Sequence, residues 1–237
     1  VQRIVREGKG PSEEMDRPIH LTGLVPDTGE LNLAEAELEV RKMAALTETM
    51  FNGFVELFRN PDKDLGNRVR ELKELEDQSD KLAIRLTNDL LLCTTGNMSD
   101  KSLREVSALL QSVAEFEDIC DCCYRLVLSA RRDYRKRYSI PPEARAEILS
   151  MAKAVIQFIQ FYQSALSRTI TTADMDMAYE LENMIDRSRK ELRKTSIRRM
   201  RDGTRVKGEV LLIDVINNIE KIGNHSLNIL QVLRQRN

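Results

Sequence analysis

Carboxylates spaced four residues apart recur along this chain. Glu76 and Asp80 stand in LEDQSD, Glu117 and Asp121 in FEDICD, and Glu182 and Asp186 in LENMID. Glu220 and Asn224 in IEKIGN form a fourth, altered copy. On a helix, positions i and i+4 lie on one face, roughly 5–6 Å apart at Cβ, and like charges so placed repel. A penalty repeated three times calls for positive charge between helices. A cation bound by carboxylates from adjacent helices would supply it, because Mg²⁺, Mn²⁺, Fe and Ca²⁺ all accept oxygen ligands. Arginine would supply it equally, and Arg70, Arg125, Arg187 and Arg189 are in range along the sequence.

The elements that position these groups are helices. Ten glycines, six prolines, no tryptophan and 5% aromatics, against abundant Leu, Glu, Arg and Ala, argue for a mostly helical chain. At 237 residues and 41% hydrophobic it can bury a substantial core. Periodicity and punctuation predict six helices: about 32–59, ended by Asn60-Pro61; 62–94; 99–138, with Ser99 as N-cap and Pro141-Pro142 beyond; 142–169; 172–202, stopped at Gly203; and 207–234. Glu182 follows Glu76 by 106 residues and Glu220 follows Glu117 by 103. That near-constant offset predicts an internal duplication of a three-helix unit. The expected fold is all-α, two tandem antiparallel three-helix bundles, with a tail over 1–31, a first repeat over 32–139 and a second over 140–237.

On helical wheels the acids fall at or near the seams between helices. Glu76 lies at the edge of the stripe formed by Leu65, Val69, Leu72, Leu82, Leu86 and Leu90, with Asp80 just beyond. Glu117 and Glu182 fall inside apolar arcs, and Glu220 shares the one polar strip of the last helix with Asn217, Lys221, Asn224 and Asn228. A partly buried carboxylate without a partner costs several kcal/mol or protonates.

Several function classes are excluded or disfavoured. The chain has 37 Lys plus Arg and 38 Asp plus Glu, a net charge of −1, so it lacks the electrostatic footprint of a nucleic-acid-binding protein. Of the two histidines, His20 and His225, neither follows a Glu by three residues as the helical-bundle oxidases require, and no G-x-S-x-G elbow occurs. Cys120, Cys122 and Cys123 crowd one helical turn, with Cys93 apart, and read as small buried hydrophobes in a reducing compartment rather than as a disulfide framework. No apolar run approaches the ~20 residues that span a bilayer. The basic runs Arg131–Arg137 and Arg198–Arg201 fall at helix C-termini, where cations favour the macrodipole.

The segments LEDQSD, FEDICD, LENMID and IEKIGNHSLNIL resemble the E(D)xxxD signatures of the PhoU family of phosphate-uptake regulators, over about residues 32–236. The resemblance implies a symmetric pair of three-helix bundles, no catalysis, and metal ions (Fe, Zn, Mn or Mg) held by Glu76, Asp80, Glu117, Asp121, Glu182, Asp186 and Glu220. Asn224 departs from the pattern, which usually continues as an acid followed by His. His225 keeps that companion position, as a ligand or as a packing residue.

The tail RPIHLTGLVPDTGELNLAEAELEVRKMA is similar to the linker joining a membrane domain to a PhoU-like domain in bacterial sodium/phosphate cotransporter-type proteins. The resemblance implies a cytoplasmic domain tethered to the inner membrane through a transmembrane region absent from this sequence. Its partners would be that transporter domain, phosphate-signalling proteins or a second copy in a homodimer. Anionic lipid headgroups would attract the basic runs. The competing readings are a metal-free helical adaptor whose acidic seams are closed by arginine, and a free-standing phosphate-signalling repressor.

Overall fold

In the computed structural model, described over residues 29–60, 65–95, 98–138, 140–203 and 206–236, the chain forms six α-helices. They are α1 (Gly29–Arg59), α2 (Leu65–Cys93), α3 (Asp100–Lys136), α4 (Pro142–Ala165), α5 (Thr172–Arg201) and α6 (Val206–Gln235), with no strand among the described residues. The expected tail over 1–31, with His20, lies outside the described residues but for its last three, which open α1.

Local chemistry sets the ends. The Ser99 hydroxyl accepts from the Ser102 amide at 3.1 Å to start α3, and Arg137 turns left-handed (φ 50°) to end it. Pro142 opens α4, where its missing N–H goes unneeded. Thr171 and Asp174 exchange side-chain bonds with each other's amides in a capping box at the start of α5. Gly203, at φ +85°, ends the turn after α5.

α1, α2 and α3 pack on one another, as do α4, α5 and α6, though α4 meets both its neighbours less extensively. The two sets join through α3 against α6 and α1 against α4. Each junction thus pairs a helix with its own duplicate, as a pseudo-two-fold axis requires, while α2 and α5 stay on the flanks. The core is continuous across the junction. Val40, Met43, Met50, Phe51, Phe54 and Phe58 of α1 share it with Phe116 of α3, Phe158 and Tyr162 of α4, and Ile216, Ile229 and Leu230 of α6. Buried polar groups at the α1/α4 junction are satisfied across it. Thr47 donates to the Ala44 carbonyl (2.7 Å), which leaves its oxygen to accept from the Tyr162 hydroxyl (2.5 Å).

One contact measures how closely the flanking helices approach. A Cβ on Gly223 of α6 would lie 3.0 Å from Cδ1 of Ile185 on α5. At the duplicate place in the first repeat the Cys120 thiol meets the Ser79 hydroxyl. A large residue against glycine in one seam is replaced by two small ones in the other, and the interhelical space is filled either way.

Candidate metal centre

The two seams that carry the repeated acids, α2/α3 and α5/α6, are built alike and charged differently. At α2/α3, Asp80 from α2 and Glu117 and Asp121 from α3 each place a carboxylate oxygen within 4.8 Å of the others. Glu76, Asp77 and Asp80 form a second such group one turn away, sharing Asp80. Lys73 neutralises the edge of this cluster, bonding Glu76 and, at 2.7 Å, Asp77. Arg125 takes Asp121 at 2.8 Å from the solvent side.

Glu117 and Asp80 in the middle have no hydrogen bond or ion pair among the described residues. Burial first, then the charges of Asp121, Asp118, Asp80 and Glu76, push the Glu117 carboxyl above its ordinary 4.5. An acid so placed is stabilised by either a proton or a cation.

At α5/α6 the counter-charge is already present. Arg189 donates to Asp186 from Nη2 at 2.6 Å and from Nε at 3.1 Å, and its Nε stands 3.7 Å from Glu220 across the seam. Lys190 reaches Asp186 at 2.5 Å, and Asn224 donates to Glu220 at 3.1 Å. Hydrogen bonds from Lys190 and Arg189 hold the Asp186 carboxyl below the usual carboxylate value. Glu182 adds, after Asp186 and Glu220, to the negative field around Arg189. Shifting by the 106-residue offset, the places of Arg189 and Lys190 are held in the first repeat by Ala83 and Ile84.

Of the seven acids singled out by sequence, the structure therefore gathers Glu76, Asp80, Glu117 and Asp121 around one seam with uncompensated charge at its centre. Glu182, Asp186 and Glu220 lie around Arg189. Three oxygen donors from two helices form a hard ligand set that fits Mg²⁺, Mn²⁺ or Fe, and Zn²⁺ also accepts carboxylates.

Sequence reasoning missed Asp77, and it missed Glu115 and Asp118 of α3, which form a third group with His225 of α6, the residue it had named as a ligand or a packing residue. His225 Nδ1 lies 2.7 Å from Glu115 and 3.9 Å from Asp118, and Asn228 meets both Glu115 oxygens at 3.2 Å. Glu115 is thereby satisfied by α6 and ties the two repeats together. The available signal was the polar strip of α6, whose Asn228 and His225 needed partners on whatever helix they faced.

Residues 40–129, within α1–α3, match the family model described as the PhoU domain. No curated protein matches the sequence at a significant level. Solved structures share the fold. PhoU from Pseudomonas aeruginosa aligns with a TM-score of 0.77 and 19% identity, covering 86% of this chain and 96% of that one. The phosphate transport system regulatory protein PhoU from Streptococcus pneumoniae gives 0.74 and 15%, covering 86% and 94%. A PhoU-like phosphate regulatory protein from Shewanella oneidensis MR-1 gives 0.54 and 13%, covering 87% and 97%.

Proposed function

We propose that this chain, which carries a PhoU domain, acts without catalysis in regulating phosphate uptake and holds a hard cation at its α2/α3 seam. Asp80, Glu117 and Asp121 are the ligands on this reading, with Glu76 and Asp77 flanking. When bound, the cation supplies the positive charge that Glu117 and Asp80 lack. The chain's own part is to bring acids from two helices together, so that their occupancy controls how firmly α2 is held to α3. The observation that carries the reading is the contrast between seams: Asp186 and Glu220 meet Arg189 in the second repeat, while in the first, whose corresponding acids are Asp80 and Glu117, Ala83 holds the place of that arginine. Glu182, Asp186 and Glu220 then form an arginine-closed duplicate of the site.

The regulatory assignment is supported by the PhoU domain over 40–129 and by the shared fold with a phosphate transport system regulatory protein. The partners on this reading are a membrane transporter domain or phosphate-signalling proteins, with a second copy as a further candidate. The domain would sit in the cytoplasm, tethered by a preceding membrane region. Among the described residues, no helix is long and apolar enough to cross a membrane.

A metal-free adaptor is favoured by one observation, the pairing of Glu76 with Lys73 and of Asp121 with Arg125. Elemental analysis of protein purified without chelator or metal resin, beside Glu117→Ala/Asp121→Ala, separates the two. Stoichiometric metal that falls in the variant supports the centre. No retained metal and no uptake on titration leaves the adaptor.

A further inference from the structure

The ends of three helices meet in a basic platform that the acidic seams do not use. Arg199 of α5 bonds Glu209 of α6 at 2.6 Å, so the end of α5 lies beside the start of α6. Gly208 packs against Tyr138, where an added Cβ would lie 3.2 Å from the carbonyl oxygen, so the end of α3 flanks the same turn of α6. The order across this end is therefore α3, α6, α5.

Exposed on it are Arg132, Arg135 and Lys136 with half-buried Arg131, then Lys207, then Arg193, Lys194, Arg198 and Arg201. None of these nine cations makes a described hydrogen bond or ion pair. The acids nearest them are engaged or outnumbered. Glu209 is paired with Arg199 and Asp133 with Arg145, Glu143 and Glu147 of α4 act on Arg199 at the same end, and Asp202 and Glu191 are exposed among the nine cations, which outnumber these acids.

Apolar side chains stand exposed among the cations: Leu128 on α3, Val206 and Val210 on α6, and Ile197 on α5. The duplicate of the α5 stripe argues that its charge is a local specialisation. Arg193, Lys194 and Arg198 correspond to Thr87, Asn88 and Leu92 on α2, so the fold does not require basic residues on that face.

We propose that this α3/α6/α5 end docks on an anionic membrane surface, with the arginines and lysines on lipid phosphates and Val206, Val210 and Ile197 at the headgroup boundary. Charge complementarity selects an anionic partner. Unpaired aliphatic side chains between the cations select a surface with an apolar layer beneath its charge, over a nucleic-acid backbone, which offers them nothing.

The test is flotation of the full chain with vesicles of phosphatidylglycerol and phosphatidylcholine, or of phosphatidylcholine alone, with chelator present so that metal bridging plays no part. Binding is expected only to the anionic vesicles, and it should fall steeply as salt rises from about 0.1 M to about 1 M, where the Debye length shrinks from about 10 to about 3 Å. Arg193→Gln/Lys194→Gln/Arg198→Gln and Arg131→Gln/Arg132→Gln/Arg135→Gln should each weaken it about tenfold or more. Val206→Ser/Val210→Ser should weaken it severalfold with the charges intact. Unchanged circular dichroism would show that these surface variants fold. No binding by the wild-type chain, or equal binding by all variants, overturns the proposal. Equally tight binding to random duplex DNA that is indifferent to Val206→Ser/Val210→Ser overturns it in favour of a polyanion site. The assay does not depend on the α2/α3 centre, so failure of either reading leaves the other standing.

Discussion

Arg189 stands beside Asp186 at 2.6 Å in the second repeat, at the place that Ala83 occupies beside Asp80 in the first. One side chain thus decides whether the seam is closed from within. Installing it in the first repeat is the direct experiment. Ala83→Arg is expected to abolish cation uptake at α2/α3 while leaving the helical content unchanged. In chelator it should stabilise the chain by up to about 1 kcal/mol, because the new guanidinium is only partly buried. Titration calorimetry with Mn²⁺ and thermal melts read the two effects, and wild-type uptake by the variant would remove Glu117 and Asp80 from the ligand set.

How much of this was legible beforehand follows from what each signal depends on. Helix starts and stops were marked by Ser99, Pro142 and Gly203, whose backbone chemistry is local, so four of the helix starts and most of the ends came out within about two residues. The first helix starts three residues early at Gly29, the expected start of the second over 62–64 lies outside the described residues, with α2 described from Leu65, and the fourth helix stops at Ala165 rather than near 169. The acids were visible through their spacing. Their partners were not, because four arginines were candidates and rotation about the helix axis separates them. Arg125 binds Asp121 on its own helix, Arg187 donates to the Asn183 carbonyl, and Arg70 turns to Asn67. Arg189 alone of the four reaches across a seam among the described contacts, which depends on how α5 is turned toward α6. Glu115 was missed for the same reason, since its partner His225 lies 110 residues away.

Arg145 joins three helices. It donates to Asp133 at 2.9 Å and to the Phe58 carbonyl, and its guanidinium lies 4.6 Å over the Phe58 ring. Asp133 is 8% exposed, so removing the arginine leaves a buried carboxylate without its cation. Arg145→Ala is expected to cost about 3 kcal/mol, while Asp133→Asn/Arg145→Met should cost clearly less, because the charge goes with its partner. Urea unfolding of both variants measures this, and equal losses would show that the stabilisation comes from packing.

Asp174 gives the stability profile an acid limb. The Arg168 guanidinium, bound at 2.7 Å through both nitrogens, then the Thr171 hydroxyl and amide, hold the Asp174 carboxyl well below its ordinary 3.8. A depressed carboxylate binds protons more weakly folded than unfolded, so its contribution is complete above 3.8 and is lost as pH falls through the folded value. Asp174→Asn should therefore destabilise the chain by about 1 kcal/mol near neutrality, as for a lost cap. The difference from wild type should close in strong acid. Melting curves across the acid range test the sign, and a difference that grows toward low pH would contradict it.

The exchange between Ile185 against Gly223 and Ser79 against Cys120 predicts coupled substitutions. Gly223→Cys pushes a side chain into Ile185 at a place where even Cβ sits 3.0 Å from Cδ1. Overpacking of this kind costs about 1–3 kcal/mol, less what glycine removal returns in helix propensity. Ile185→Ser alone empties the same space and loses apolar burial. Together they reproduce the first-repeat pairing, so the double variant should be more stable than the sum of the single losses by at least about 1 kcal/mol. Denaturant unfolding of the four proteins in the cycle measures that coupling. Simple additivity would mean that positions 185 and 223 do not share one space, and the close approach of α5 to α6 would then follow from Arg189 and its acids rather than from the small residue on α6.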